Sequence, residues 1–258
     1  MPQLPPGDHR VLHDAALSLV VCQIKFDDSP TVEDSAVGRR LYEELGGKDG
    51  PFPLFAQFRT QQITLTPEAA PSDVISNQSQ RGWRIATEDD GTRYLFTPGS
   101  LAFETTDFKG WPTFRPQLER SLEILAADVA PAVEERIGLR FINSFNEGAI
   151  RDDTWVDHVT PEALGISAHE LLGPLVRSME TRAILQLEGK RQCVVRVARG
   201  MDGSLGSLAI DIDAFAQRGI PFAVADVMNC CDELNEDCVS VFQQLTKPEL
   251  LIKLGQEQ

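Results

Sequence analysis

Two aspartates spaced two residues apart, Asp211 and Asp213, are the carboxylates with the clearest spacing for chemistry. They lie in an alternating run, residues 208–213, which predicts a strand with both carboxylates on one face and aliphatic side chains on the other. Paired carboxylates on an open sheet face can bind Mg²⁺ or Mn²⁺, and such a site supports metal-dependent phosphoryl transfer. The same alternation is typical of any half-exposed strand. On that second interpretation the pair is exposed and contributes little to stability.

The most distinctive short segment is residues 136–143, RIGLRFIN, in which polar residues interrupt a strand-like run. The candidate binding residues are polar side chains in strands that are otherwise apolar: Arg136, Arg140, Asn143 and Arg196. A guanidinium group can bind a phosphate or a carboxylate through two parallel hydrogen bonds. The competing interpretation is a structural ion pair between these arginines and the two aspartates. Gly138 permits a close backbone approach or a β-bulge.

Motifs for other chemistries are missing from the sequence. It contains no HExxH, GxSxG or GxxxxGK[ST]. The five cysteines form no CxxC pair, and an odd count argues against a disulfide framework. Cys231 and Cys238 share a predicted helix face with leucines and valines, so we expect them to be small core residues. No cofactor is predicted, and Mg²⁺ is considered only with the aspartate pair.

The charge balance is acidic, with 39 acidic and 24 basic residues and a net charge of −15. An acidic surface repels phosphate backbones, so general nucleic-acid binding is disfavoured. The acidity suits a basic protein partner or mimicry of nucleic acid, or it serves solubility alone. The longest apolar run, near residues 15–22, is too short to span a bilayer, and the first residues lack the pattern of a signal peptide. We therefore predict a cytoplasmic protein without membrane contact.

A strand–turn–helix pattern that occurs twice in the sequence is expected to position the candidate site residues. Residues 101–108 (LAFETTDF) align without a gap with residues 208–215 (LAIDIDAF), and each run precedes a proline-containing turn and a long predicted helix. The helices are expected at residues 113–129 and 222–245. The second carries apolar residues at alternating spacings of three and four, which favours a helix docked on its own sheet, with the further possibility that the two helices meet.

The predicted fold is α+β, with two similar lobes over residues 1–145 and 146–258. Each lobe would be a mainly antiparallel sheet with one long helix on one face, and a pseudo-twofold duplication would relate them. Further strands are expected at residues 16–26 and 55–65, and in two meanders. The first covers residues 82–105, with turns at residues 89–91 and 98–99, and the second covers residues 179–214. Loops are expected at residues 67–79 and 143–154, and a Pro-rich arm at residues 1–14.

Four segments together resemble a known family: residues 20–26 (VVCQIKF), 136–143 (RIGLRFIN), 208–213 (LAIDID) and 242–246 (FQQLT). It is a family of sporadically distributed, uncharacterised bacterial proteins of about this length, and the resemblance spans nearly the whole chain. Such scattered distribution implies an accessory role such as phage defence or toxin neutralisation. Phe141 stands where a tyrosine is common, which removes a hydroxyl from that segment.

The leading functional prediction is a non-catalytic binding subunit that recognises a partner protein or small ligand, for example the product of a neighbouring gene. An edge strand or the cleft between the lobes would form the contact surface. The alternative is a metal-dependent nucleotidyl or phosphoryl transferase that uses Asp211 and Asp213 with Arg140. A third possibility is a self-associating protein, a homodimer paired through sheet edges or helices.

Overall fold

The fold is known from a computed structural model, which describes residues 4–9, 16–63, 77–146, 155–202 and 205–255. These ranges contain nine strands and six α-helices. The strands are β1 (Leu17–Phe26), β2 (Leu54–Ile63), β3 (Asn77–Ala86), β4 (Thr92–Thr97), β5 (Ser100–Thr105), β6 (Val133–Asn146), β7 (Met179–Gln186), β8 (Gln192–Asp202) and β9 (Leu205–Pro221). The helices are α1 (Ser35–Glu44), α2 (Trp111–Asp128), α3 (Trp155–His158), α4 (Pro161–Leu164), α5 (Val224–Leu245) and α6 (Pro248–Lys253).

All nine strands form a single antiparallel sheet in the order β2-β3-β4-β5-β1-β6-β9-β8-β7. The α+β prediction is thus confirmed, but strands from both predicted lobes form one sheet rather than two. The junction is β6 against β9, and β6 also pairs with β1. The predicted lobe boundary after residue 145 falls inside β6, and the division into lobes stays a prediction.

Helices α1, α2 and α5 lie on one face of the sheet. α5 packs on β6 and β9, and α2 contacts both α1 and α5. The inner face of α5 follows the predicted stripe, with Val227, Cys231, Leu234 and Cys238 fully buried. Between α2 and α5, Asp232 accepts hydrogen bonds from Arg115 Nε at 2.9 Å and from Trp111 Nε1 at 2.8 Å. The two long helices therefore meet, as well as docking on their own strands.

The apolar core lies between these helices and the sheet. The inner strands contribute alternate residues to it, as the period of two requires: in β1 these are Val20, Cys22, Ile24 and Phe26, all at most 2% exposed. All five cysteines are free and buried. Burial raises the pKa of Cys193 and of Cys230 to about 12, so both remain protonated thiols. Cys231 and Cys238 are core residues, as predicted.

The segment at residues 4–9, within the predicted arm, lies along the outer surface of α5. Ser240 Oγ donates to the Pro5 carbonyl at 2.7 Å, and Gln243 exchanges hydrogen bonds with the Asp8 backbone at 2.7 and 2.9 Å. The His9 Nε2 atom lies 2.5 Å from Glu236 Oε2. The bonding residues recur at helical spacing on α5, so one stripe of this helix holds the segment.

Several element boundaries differ from expectation. Residues 77–79, expected in a loop, begin β3, and residues 143–146, expected in another, end β6. The remainder of both predicted loops, residues 67–76 and 147–154, lies outside the described residues. β9 extends to Pro221, well beyond the predicted end near residue 214. Within the described ranges no helix is both long and apolar enough to cross a bilayer.

Candidate functional site

The candidate site lies on the face of the sheet opposite the long helices, which we call the helix-free face. In β9, Leu208, Ile210 and Ile212 point into the core and are at most 1% exposed. Asp211 and Asp213 therefore point to the helix-free face, as the alternation predicted. The register carries this face across the neighbouring strands, because directly paired residues share a face.

Three arginines lie beside the aspartate pair. Arg140 in β6 is the direct cross-strand partner of Asp213, and Arg196 in β8 is that of Asp211. Arg136 lies four residues before Arg140, so the same alternation places it on this face. The structure thus brings together Arg136, Arg140, Arg196 and both aspartates, although they come from three strands and are up to 77 positions apart in the chain.

Asp211 is the centre of this cluster. Arg140 binds it with two hydrogen bonds of 2.7 Å, from Nε to Oδ1 and from Nη2 to Oδ2. Arg196 Nη1 adds a third to Oδ2 at 3.0 Å. Asp211 is only 8% exposed, so the expectation of an exposed acidic pair is wrong for this residue. One carboxylate is shared between two guanidinium groups, which leaves the trio with a net positive charge.

Asp213 and Arg136 form the second part of the cluster. The Arg136 Nη2 atom lies 3.5 Å from Asp213 Oδ1, and its guanidinium carbon lies 4.5 Å from the centre of the Phe215 ring, a cation–π distance. Gly138 makes room for this arrangement, since a Cβ atom there would lie 2.6 Å from Arg136 Nη1. The close approach expected at Gly138 is therefore that of a neighbouring side chain.

The two ionisable partners respond differently to this environment. Hydrogen bonding to Asp211 raises the pKa of Arg140 against the effect of burial, so this guanidinium stays charged. Burial raises the pKa of Asp213, while Arg136 and Arg140 act in the opposite direction. The Asp213 carboxylate is therefore less well stabilised as an anion than an aspartate in water.

Asn143 is not part of the cluster. It lies an odd number of residues from Arg140, its partner in β9 is the core residue Ile210, and it is 5% exposed. Its Nδ2 donates to the Ile210 carbonyl at 3.3 Å. The structure therefore places Asn143 beneath the helices, where its contact supports the sheet. Counting strand parity from Arg140 would have revealed this.

The arrangement bears directly on the predicted metal site. Both oxygens of Asp211 accept hydrogen bonds from guanidinium groups. An Mg²⁺ ion on the Asp211 and Asp213 pair would have to displace those arginines and would meet their positive charge. Among the residues that the structure describes, no cluster of three or more His, Cys, Asp or Glu side chains is arranged around a common metal position.

Sequence reasoning did not single out the remaining residues of the helix-free face. Register assigns Lys25, Glu104, Arg93, Arg84, Arg182 and Glu180 to it. Arg93 pairs with Glu104 at 2.7 Å, and Arg84 pairs with Asp90 in the β3–β4 turn. Basic side chains outnumber acidic ones on this face, although the chain as a whole is strongly acidic. The sequence could have predicted this excess of basic residues, because they recur at alternate positions in several strands.

A second concave region lies away from this face. Residues 4–6, the β7–β8 turn and α5 line an open pocket of about 470 Å³. At its wall Arg191 Nε donates to Asp237 Oδ2 at 2.6 Å, and Arg191 Nη1 to Glu233 Oε2 at 2.8 Å. Its charged groups are thus paired within the protein. On the helix-free face, by contrast, Arg136, Arg140 and Arg196 are only partly neutralised by their two aspartates.

Comparisons with known proteins do not identify a family. No family profile matches the sequence, and no curated protein matches it. One solved structure aligns over 98% of this chain and 88% of its own, with 10% identity and a TM-score of 0.12: the S. pombe Pct1 RNA triphosphatase in complex with the Spt5 CTD. A TM-score this low carries no structural or functional argument.

Proposed function

We propose that this protein is a non-catalytic binding subunit whose helix-free face receives a protein partner bearing carboxylate groups. The observation that carries the proposal is Asp211, one buried carboxylate shared by Arg140 and Arg196. Because the three arginines of the cluster share only two carboxylates, Asp211 and Asp213, further acceptors from a partner are favoured there. Arginine is also enriched at the energetic centres of protein interfaces.

The charge distribution supports an acidic partner over a basic one at this face. The protein carries a net charge of −15, so most of its surface repels anions. The helix-free face has the opposite balance, and none of the long helices that the structure describes covers it. The setting we propose follows from the family resemblance in the sequence: the cytoplasm of a bacterium and an accessory system such as phage defence or toxin neutralisation. A partner encoded by a neighbouring gene fits that setting.

We also propose that the two halves arose by duplication. Outward from β1 the sheet runs β5, β4, β3, and outward from β6 it runs β9, β8, β7. β5 precedes α2 and β9 precedes α5, as the repeated pattern requires. An experimental structure tests this, since residues 82–130 and 179–245 should superimpose; unrelated backbone paths would contradict it.

Binding can be tested with a fluorescently labelled oligoglutamate peptide, titrated with the full chain and followed by anisotropy. Arg196→Gln should weaken binding by about tenfold, since one charge-assisted contact is lost, and added salt should weaken it further. Arg120→Gln is the matched control, because Arg120 lies on α2 and pairs with Glu44 at 3.0 Å. Circular dichroism verifies that each variant is folded.

The proposal fails if the oligoglutamate peptide does not bind, if an oligolysine peptide binds more tightly, or if Arg196→Gln and Arg120→Gln behave alike. A second measurement uses the natural setting. Co-expression with the product of the neighbouring gene should give a complex that survives purification, and Arg196→Gln should reduce its yield while Arg120→Gln should not.

A further inference from the structure

Strand β7 forms one edge of the sheet and pairs with β8 only, within the part of the chain that the structure describes. An edge strand presents unpaired backbone donors and acceptors, which can pair with another strand. β7 has no Pro or Gly in its eight residues, METRAILQ, so it lacks the residues that interrupt the backbone pairing of a strand.

Two charged residues of β7 have no partner among the described residues: Glu180 and Arg182. Both are exposed and both point to the helix-free face, since they pair with Ala198 and Arg196 of β8. Arg182 therefore lies directly across from another arginine. Like charges at directly paired positions destabilise a sheet, so a negative group on the open side of Arg182 would remove a cost from the folded protein.

The largest group of exposed apolar side chains adjoins the same edge. It comprises Ile166, Leu171, Leu172 and Leu175, in the segment that precedes β7. Leu171 is 75% exposed and Leu175 is 73% exposed. The segment that carries them packs over β7, because a Cβ atom at Gly165 would lie 3.6 Å from both Met179 Sδ and Thr181 Cγ2. Exposed apolar groups beside an open strand are typical of an interaction surface.

We infer that β7 pairs antiparallel with β7 of a second copy of this chain, with Thr181 on the twofold axis. This register places Glu180 of each copy directly opposite Arg182 of the other. Registers centred on Glu180 or on Arg182 would oppose like charges instead. The sequence of the strand thus favours one self-complementary register, which is the geometry that a twofold interface requires.

This pairing accounts together for the open edge of β7, its unpaired charged residues and the exposed apolar residues beside it. Glu180 of the second copy lies on the open side of Arg182 and offsets its repulsion by Arg196. The apolar segment around residues 166–175 lies next to the axis, so the two copies bury these side chains against each other. The two sheets become one, and their helix-free faces become continuous. The dimer does not depend on the function proposed above.

Charge exchange tests the register. Sedimentation velocity on the full chain, at concentrations up to about 100 µM, should show a concentration-dependent dimer. Arg182→Glu or Glu180→Arg should each weaken dimerisation by about tenfold or more, because each places like charges opposite one another at two symmetric positions. The double variant Glu180→Arg, Arg182→Glu should restore it. Mixing the two single variants should also give a dimer, since their charges complement each other.

The apolar contact is tested with Leu175→Asp, which should weaken the dimer, against Ile252→Asp, which changes a 52% exposed aliphatic residue on α6 and should not. Both positions are exposed, so folding should persist. A monomer for the wild-type chain over the whole concentration range would overturn the inference. So would a dimer that Arg182→Glu and Leu175→Asp leave unchanged, or a double variant that fails to recover.

Discussion

The two faces of the sheet are made by the same nine strands, yet they have opposite character. The face beneath the helices holds aliphatic, aromatic and cysteine side chains, most of them fully buried. The helix-free face holds ion pairs that link neighbouring strands, from Arg93 and Glu104 in β4 and β5 to Arg196 and Asp211 in β8 and β9. One face provides most of the folding free energy; the other provides charge for recognition.

The sharpest test of this contrast is a pair of identical substitutions on the two faces. Leu139 in β6 is fully buried beneath the helices, and Leu54 in β2 is 37% exposed on the helix-free face. Leu139→Ala should lower the free energy of unfolding by about 2–5 kcal/mol, because it leaves a cavity. Leu54→Ala should change it by less than about 1 kcal/mol. Urea unfolding measures both, and equal losses would remove the distinction.

A smaller effect is expected from the centre of the charged cluster. Asp211→Asn should lower the free energy of unfolding by about 1–3 kcal/mol, because Arg140 and Arg196 lose their shared anion while the site stays partly buried. Glu44→Gln is the control: it removes the exposed ion pair with Arg120 on the outer helices and should cost less than about 0.5 kcal/mol. If the two costs are the same, the cluster is an ordinary surface network.

The smallest effect concerns pH. Burial raises the pKa of Asp213 above its ordinary 3.8, so the folded chain holds this proton more tightly than the unfolded chain does. The free energy of unfolding should therefore fall as pH rises through the interval just above 3.8. Asp213→Asn should flatten that slope and make the protein slightly more stable at neutral pH, by less than about 1 kcal/mol.

Thermal melts between acid and neutral pH measure this difference, with Asp107→Asn as the control for removing one negative charge, since the Asp107 side chain is 65% exposed. A wild-type protein that gains stability through the same interval, relative to Asp213→Asn, would show that Arg136 and Arg140 outweigh burial.

Local pattern was sufficient to predict most of the elements and the orientation of the aspartates. The alternation in residues 208–213 placed Asp211 and Asp213 on one face, and the apolar stripe of α5 identified its buried side. Both depend on periodicity within one element. The meander of β3, β4 and β5 followed from its turn residues for the same reason.

Relations between distant elements could not be predicted in the same way. Pairing of β6 with β9 joins the predicted lobes into one sheet, and no local pattern specifies which strands become neighbours. The burial of Asp211 depends on Arg140 and Arg196, which reach it from β6 and β8. A residue that looks exposed in its own strand is thus covered by long side chains from the strands beside it.

Two buried cysteines at the contact between β1 and α5 make thiol reactivity a measure of the protein's internal motion. Cys22 of β1 lies with its sulfur 3.7 Å from that of Cys231, at the contact between strand and helix. A thiol reagent can reach this pair only when the helix lifts away from the strands, since both side chains are fully covered. The rate at which such a reagent consumes these thiols therefore measures how often that layer separates, without any engineered label.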